Sequence, residues 1–159
     1  MKLYAKVALG MSLVGSFIFT SPTVKITITN NLPYAVIIKE PKWESTGMLT
    51  RDYKTVATLQ QGKTSELIIP SINHGRAVLE IFKDNDELIS NITFLQQQIN
   101  AQNNRVNVWV TDSRLAGSES VWWNEEVSSN IKNFDIRINL KQDEKEFLNR
   151  SSELSVDYK

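Results

Sequence analysis

The chain contains no cysteine, and this absence excludes several kinds of chemistry at once. Without cysteine there is no thiol nucleophile, no disulfide framework and no cysteine-based zinc site. Small domains of oxidising compartments often rely on disulfides, so a disulfide-free domain must be stabilised by its apolar core alone. Together with the export signal described below, the absence favours a bacterial periplasmic or secreted protein over an animal ectodomain.

Histidine and glycine are also scarce, with one and six residues among 159. A single histidine, His74, cannot build a zinc site, and no GxSxG motif supports a Ser71–His74 catalytic pair. The chain has neither GxxxxGK[ST] nor GxGxxG, which excludes the common phosphate-binding loops. Asp84–Glu87 is the densest oxygen cluster, but "DND" is typical of a hairpin turn. The sequence therefore predicts no metal site and no cofactor.

The charge balance argues against a strongly charged partner. Lys and Arg total 18, and Asp and Glu also total 18, so the formal net charge is zero. A chain without a basic field lacks the electrostatic footprint of a nucleic-acid-binding protein. We therefore expect no nucleic-acid partner for this chain.

The N-terminus has the layout of an export signal. Lys2 and Lys6 precede an uncharged, mainly apolar run from Val7 to Thr20. This run is shorter than the ~20 residues that a membrane-spanning helix needs. We predict a signal peptide over residues 1–23, a periplasmic or secreted location, and no stable membrane span after processing. A buried N-terminal helix or strand is the alternative interpretation.

Period-two alternation dominates residues 24–140 and predicts an all-β domain. VKITITN, for example, places its Val and Ile residues on one face and its Lys and Thr residues on the other. About eight short strands are predicted, at residues 24–30, 34–40, 53–60, 64–70, 76–82, 87–94, 105–111 and 133–140. This spacing is typical of an antiparallel β-sandwich of immunoglobulin-like size, with a barrel as the alternative.

The tail, residues 141–159, differs in character from the body. It is rich in charge, and its apolar residues are scattered. Glu146 and Arg150 have the i, i+4 spacing that stabilises a helix. We interpret the tail as a short C-terminal helix or, alternatively, as a disordered segment.

The stretch GSESVWWNEEV, residues 117–127, places two adjacent tryptophans among small, polar and acidic residues. One interpretation is a recognition loop. The exposed rings of Trp122 and Trp123 would contact a ligand, and Asn124 and Glu125 would supply hydrogen bonds. The alternative is a strand, in which the two rings point to opposite faces and one of them fills the core.

Two further tryptophans extend the candidate site. Trp109 lies on the polar phase of RVNVWVT, so it is expected to face away from the valines of that strand. Trp43 lies in KEPKWEST, a predicted loop. If Trp43, Trp109 and Trp123 converge, they form an apolar patch of the kind that marks a binding surface. If they are dispersed, the binding interpretation loses most of its support.

The sequence favours an exported, non-catalytic binding module that recognises a protein or a carbohydrate through these tryptophan-bearing loops. One alternative is a small secreted hydrolase that uses Glu125 or Glu126 with Asp112 as paired carboxylates. Another is a subunit that assembles by strand exchange, with VKITITN as the donor strand. Because the carboxylates resemble a sugar-hydrolysing site in composition only, we do not expect an enzyme.

Overall fold

The structure, a computed structural model, describes residues 22–43, 49–69, 75–112, 120–142 and 150–159. These residues contain ten strands and no helix, so this part of the chain is all-β, as the alternation predicts. The strands are β1 (Thr23–Asn30), β2 (Val36–Trp43), β3 (Leu49–Leu59), β4 (Lys63–Ile69), β5 (Arg76–Phe82), β6 (Leu88–Gln98), β7 (Asn103–Asp112), β8 (Ser120–Ser128), β9 (Asn133–Gln142) and β10 (Arg150–Tyr158).

The strands form two sheets. One has four strands in the order β10-β9-β1-β4, and the other has six in the order β3-β2-β5-β6-β7-β8. The described neighbours pair antiparallel, except that β1 runs parallel to β9. These two strands are far apart in the sequence, which leaves room for the crossover that a parallel pair needs. The two sheets agree with the predicted β-sandwich, but the four-stranded sheet is mixed.

The core lies between the two sheets and consists of the inward-facing residues of their strands. β1 alternates half-buried and buried residues along its whole length, and Ile26 and Ile28 are fully buried. Phe94 of β6 and Phe134 of β9 meet across the core, with ring centroids 5.3 Å apart. A fully buried Ile or Phe side chain contributes roughly 1.5–3 kcal/mol relative to an exposed one. The predicted inward faces of VKITITN, RVNVWVT and NFDIRINL are all buried, which confirms this part of the prediction.

Aromatic contacts connect the two sheets where β8 approaches β10. The ring centroids of Trp123 in β8 and Tyr158 in β10 are 6.0 Å apart. Tyr158 in turn lies 6.2 Å from Phe134, whose side chain is in the core. Tilted aromatic pairs of this kind contribute roughly 0.5–1.5 kcal/mol each beyond the area they bury. This series therefore stabilises one side of the sandwich.

Residues 84–87 form the turn of the β5–β6 hairpin, which confirms the turn interpretation of "DND". Asp86 has a positive φ of 60°, a conformation that Asp tolerates better than most residues. The Asp86 carboxylate pairs with Lys39 at 2.7 Å, and the Glu87 carboxylate pairs with Lys83 at 2.6 Å. These carboxylates therefore have lysine partners that stabilise the turn.

The loop interpretation of the tryptophan pair is wrong, because residues 120–128 form the strand β8. The sequence SVWWNEEVS contains Val and Trp, which favour strands, and it pairs with β7 over nearly its whole length. The loop predicted at residues 41–51 is wrong at both ends, since β2 extends to Trp43 and β3 begins at Leu49, and residues 44–48 lie outside the described residues.

The tail is neither helical nor disordered over residues 150–158, because these residues form the strand β10. Residues 143–149, where the predicted helix would begin, lie outside the described residues. Leu154 and Val156 pack against the core, and β10 pairs with β9 in a continuous antiparallel register. Burial of Leu154 and Val156 at every second position favours a strand more strongly than an i, i+4 ion pair favours a helix, since such a pair contributes only about 0.5 kcal/mol. β8 and β10 also account for the difference between the eight predicted strands and the ten found in the described residues.

The predicted signal peptide lies outside the described residues, apart from Pro22 and Thr23. Pro22 is buried, and Thr23 begins β1, where its backbone N donates to the Lys132 carbonyl at 2.9 Å. Ser71 and His74 also lie outside the described residues. Within the described ranges, no helix has the length and apolar character needed to cross a bilayer.

Candidate ligand-binding face

β7 and β8 place two of the predicted tryptophans opposite each other. In the register of this antiparallel pair, Trp109 lies opposite Trp122, and Asn107 lies opposite Asn124. Side chains alternate along a strand, so these four share one side of the sheet. This side faces away from the core, because the alternate residues of β7 are the buried valines. We call the surface formed by these four residues the tryptophan face.

The adjacent tryptophans of β8 have opposite environments, as a strand requires. Trp122 is 71% exposed, whereas Trp123 is half-buried, packs against the core and contacts Tyr158. The interpretation with one ring in the core and one at the surface is therefore confirmed. Trp123 serves the fold, and Trp122 is available to a ligand.

β8 is the terminal strand of the six-stranded order, so it has a described strand neighbour on one side only. Edge strands are commonly protected from pairing by charged side chains. Glu125 and Glu126 are exposed on β8 and fit this role. A ligand can therefore reach Trp122 both from above the sheet and from the β8 edge.

An amide pair lies beside the two tryptophans. The Asn124 side chain donates a hydrogen bond from Nδ2 to Oδ1 of Asn107. Each amide carries two N–H donors and one carbonyl oxygen, so this contact uses a small part of their capacity. Oδ1 of Asn124 and Nδ2 of Asn107 have no hydrogen-bond partner among the described residues. The pair thus presents one acceptor and one donor group to solvent.

The tryptophan face continues onto β6 and β5. Trp109 lies opposite Thr93 of β6, and Thr93 lies opposite Val78 of β5. Val78 is 3% exposed and Thr93 is 7% exposed, although both point away from the core. Exposure therefore rises along one row of the sheet, from Val78 to Trp122. Val78 and Thr93, at the covered end of the row, are packed as in a protein interior. Trp122, at the open end, belongs to the candidate site.

Glu125 lies on the other side of β8 and has a structural partner. A hydrogen bond to the Glu125 carboxylate, with burial as a weaker cause, raises the pKa of Tyr158 above its usual value. The carboxylate favours the protonated phenol because the phenol is the donor in this hydrogen bond. Glu125 therefore joins β8 to β10 and is not part of the tryptophan face.

The predicted carboxylate pair does not form a site. Glu125 and Glu126 are adjacent on a strand and so point to opposite sides, and Glu126 accepts a hydrogen bond from Asn103 at 3.0 Å. Asp112 ends β7, whereas Glu125 lies opposite Val106 near the other end, about 20 Å away along the strand. Glycosidase carboxylates lie within roughly 10 Å of each other.

Trp43 is the predicted site residue furthest from this face. It ends β2, and β5 and β6 lie between β2 and β7. With neighbouring strands ~4.8 Å apart, β2 is about 14 Å from β7. The Trp43 side chain lies outside what the structure describes. The structure therefore brings together Trp109, Trp122 and Asn124, and it places Trp123 and Glu125 on the opposite side of β8. The predicted convergence of Trp43, Trp109 and Trp123 is not found, so the candidate site rests on the pair of Trp109 and Trp122 instead.

Asn107 is the residue of this face that sequence reasoning misses. Alternation assigns it to the polar phase of β7 but gives no reason to single it out. Aligning the two tryptophans as a cross-strand pair would have placed Asn107 opposite Asn124. Alternation alone does not select that alignment, because a shift of two residues keeps every side chain on its face.

A groove of about 560 Å³ opens on the outer face of the four-stranded sheet. Lys25 pairs there with Asp135 at 3.2 Å, and Arg137 pairs with Asp157 at 2.8 Å. One carboxylate oxygen of Asp135 has no hydrogen-bond partner among the described residues, but it is enclosed and a ligand cannot reach it. Because the charges in this groove already neutralise one another, it is a weaker candidate than the tryptophan face.

Comparison with known proteins adds no relative from which a role could be transferred. No protein-family model, curated protein sequence or solved structure matches this chain. A functional conclusion must therefore be drawn from the geometry of the tryptophan face.

Proposed function

We propose that this chain is an exported, non-catalytic binding module that recognises a protein or a carbohydrate through the tryptophan face. The observation that carries the proposal is Trp122, which is 71% exposed on a terminal strand and lies opposite Trp109. Leaving a large apolar ring in water forgoes about 2 kcal/mol that burial would contribute. A ligand that covers the ring recovers this free energy, which is why tryptophan is frequent at binding hot spots.

The rigidity of the scaffold supports the proposal. β7 and β8 pair without interruption from Asn103 to Thr111, and β7 is also paired with β6 on its other side. A face held in place by backbone hydrogen bonds loses little conformational entropy when a ligand binds. The binding function that the sequence assigned to loops is thus better assigned to the β7–β8 strand pair.

Both alternative functions find less support. A hydrolase needs two carboxylates facing one bond, whereas Glu125 interacts with Tyr158 and Glu126 with Asn103. A donor strand needs to be released from its own sheet. β1 lies between β4 and β9 and is buried along one side, so its release would open the four-stranded sheet.

The test is to probe the purified protein against a glycan array and an array of exported proteins, alongside two variants. Trp122→Ala removes the exposed ring. Ile68→Ala, at a position that is 63% exposed on the outer face of the other sheet, is the matched control. We expect binding that Trp122→Ala abolishes and Ile68→Ala preserves. If neither array yields a ligand whose binding depends on Trp122, the proposed function is wrong.

A further inference from the structure

The tryptophan face and its neighbours on β6 form an uncharged surface. Two rows of residues run across β6, β7 and β8 on this side: Thr93, Trp109, Trp122 and Leu95, Asn107, Asn124. The next row on β7 and β8 pairs Arg105 with Glu126, which have opposite charges. A surface of this kind creates no net field that would attract an ionic ligand. It therefore matches a neutral ligand.

The exposed apolar area of this face suits a small ring better than a protein surface. Among the described residues of the two rows, Trp122 is the one exposed large hydrophobic residue. A tryptophan buries ~150–250 Å² when it is covered. A stable protein interface buries ~800 Å² on each partner around an apolar core. The face thus provides aromatic area for one sugar ring but falls well short of an interface core.

The amide groups next to Trp122 match the hydroxyl groups of a sugar. A hydroxyl is both a donor and an acceptor, so neighbouring hydroxyls can donate to Oδ1 of Asn124 and accept from Nδ2 of Asn107. These amides are already held to each other, so little side-chain entropy is lost when they bind. An apolar protein loop would leave the same two groups without partners, which is unfavourable.

We infer that the tryptophan face binds a neutral carbohydrate, with one sugar ring stacked on Trp122 and its hydroxyls hydrogen-bonded to Asn107 and Asn124. This inference rests on the proposed binding function and narrows the ligand to sugars without carboxylate, sulfate or phosphate groups. Asn107 and Asn124 are the residues that distinguish a sugar from an apolar protein segment.

The experiment is native affinity electrophoresis of the purified protein through gels that contain one polysaccharide each. The neutral probes are hydroxyethylcellulose, xylan, galactomannan and a β-1,3-glucan, and the acidic probes are alginate and polygalacturonate. We expect retardation by at least one neutral probe. Trp122→Ala should weaken this binding by roughly tenfold or more, because it removes the stacking surface. Ile68→Ala is the control and should not change it.

Asn107→Leu distinguishes sugar binding from apolar docking. It removes the amide but enlarges the apolar surface, so sugar binding should weaken by about threefold to tenfold. Asn124→Leu, on the terminal strand, is the second variant if the first does not fold, as judged by circular dichroism. Tighter or unchanged binding in the amide variant that folds, together with loss of binding in Trp122→Ala, would overturn the inference in favour of apolar docking.

Two other results would overturn the carbohydrate assignment, and the arrays show whether the binding function survives. Retardation by the acidic probes alone would mean that charge, and not the neutral face, governs binding. No retardation by any probe, combined with Trp122-dependent binding on the protein array, would leave the binding function standing with a protein ligand. No Trp122-dependent binding in any of these assays would reject both proposals together.

Discussion

The outer faces of the two sheets differ in the kind of residue that they present to solvent. On the four-stranded sheet, Lys25 bridges Glu66 and Asp135, and Arg137 bridges Asp135 and Asp157. On the six-stranded sheet, the corresponding positions include Val78, Phe82, Trp109 and Trp122. Both faces follow from the same alternation, since each consists of the residues that point away from the core.

A solvated sheet face is ordinarily polar, and the four-stranded sheet follows this rule except at Ile68, which is 63% exposed. The apolar residues of the six-stranded face are covered in one region and open in another. Phe82 is buried beneath Lys39, whose Nζ lies 4.5 Å from the ring centroid, and contacts Tyr53 edge-on. Trp122 has no comparable cover among the described residues. On the six-stranded sheet, the apolar residues of the polar phase are therefore of two kinds: those covered by a second layer of side chains, such as Phe82, and those open to solvent, such as Trp122.

The largest expected effect comes from placing a charge on each outer face in turn. Val78→Asp should lower the free energy of unfolding by at least about 3 kcal/mol, because the carboxylate would be buried without a cation. Thr27→Asp, on the outer face of β1 between Glu66 and Arg137, should cost less than about 1 kcal/mol. Urea unfolding measures both values. Equal losses would mean that the two outer faces are equally solvated.

The next largest effect is the difference in stability between variants on the two sides of β8. Trp123→Ala should lower the free energy of unfolding by about 3 kcal/mol, because it leaves a cavity beside Tyr158. Trp122→Ala should change it by no more than about 0.5 kcal/mol, since an exposed ring has little packing to lose. Thermal and urea unfolding of the two variants provide the measurement. A large loss in Trp122→Ala would show that this ring is packed and would remove the basis for the tryptophan face.

The smallest effect is the pH dependence of stability, which the ion pairs of the four-stranded face contribute. Hydrogen bonds to Asp135 and, less strongly, to Glu66 raise the pKa of Lys25 above its usual 10.5. Its contribution is therefore complete below pH 10.5 and is lost as the pH rises through the raised pKa. Hydrogen bonds from Lys141 and Asn139 lower the pKa of Glu153 below its usual 4.5, so its contribution is lost as the pH falls through that lowered pKa.

Stability should therefore vary little between the pH at which Glu153 becomes protonated and the pH at which Lys25 loses its proton. Outside this range it should decline only modestly, because exposed ion pairs contribute little. Lys25→Met should reduce the alkaline decline, and Tyr158→Phe should reduce it further, since the pKa of Tyr158 is also raised. Urea midpoints across the pH range test this. A steep change in stability near neutral pH, or an alkaline decline that neither variant reduces, would show that Lys25, Glu153 and Tyr158 are not the groups that set the pH dependence.

Alternation predicted the sandwich well, because buried residues at every second position specify which side of each strand faces the core. It left residues 120–128 open between a loop and a strand, and it did not predict the strand at residues 150–158. In β8, Glu125 interrupts the apolar phase, which only Val121, Trp123 and Val127 continue. In the tail, the local i, i+4 spacing of charges favours a helix. Backbone pairing with β9, which local spacing cannot indicate, favours the strand β10 instead. Both strands are specified by tertiary pairing more than by local sequence.

The candidate site is predictable only in part from the sequence. Residue type indicates the tryptophans, but the register of β7 and β8 determines which of them lie side by side. Trp109 was assigned to the outer side of β7 from its phase, and the structure agrees. The pairing of Trp109 with Trp122, and of Asn107 with Asn124, requires the β7–β8 register, which the sequence does not specify. The predicted patch of Trp43, Trp109 and Trp123 required these rings to converge, but the order of the strands separates β2 from β7, and Trp123 points to the other side of the sheet from Trp109.

Iodide quenching of tryptophan fluorescence tests most directly whether the six-stranded sheet presents a ring to solvent. The protein contains four tryptophans, and Trp122 is the one that the described residues leave strongly exposed. We predict a red-shifted, quenchable fraction in the wild-type protein that is clearly smaller in Trp122→Phe and unchanged in Trp109→Phe. Emission that iodide does not quench, or a quenchable fraction that Trp122→Phe leaves unchanged, would contradict the account.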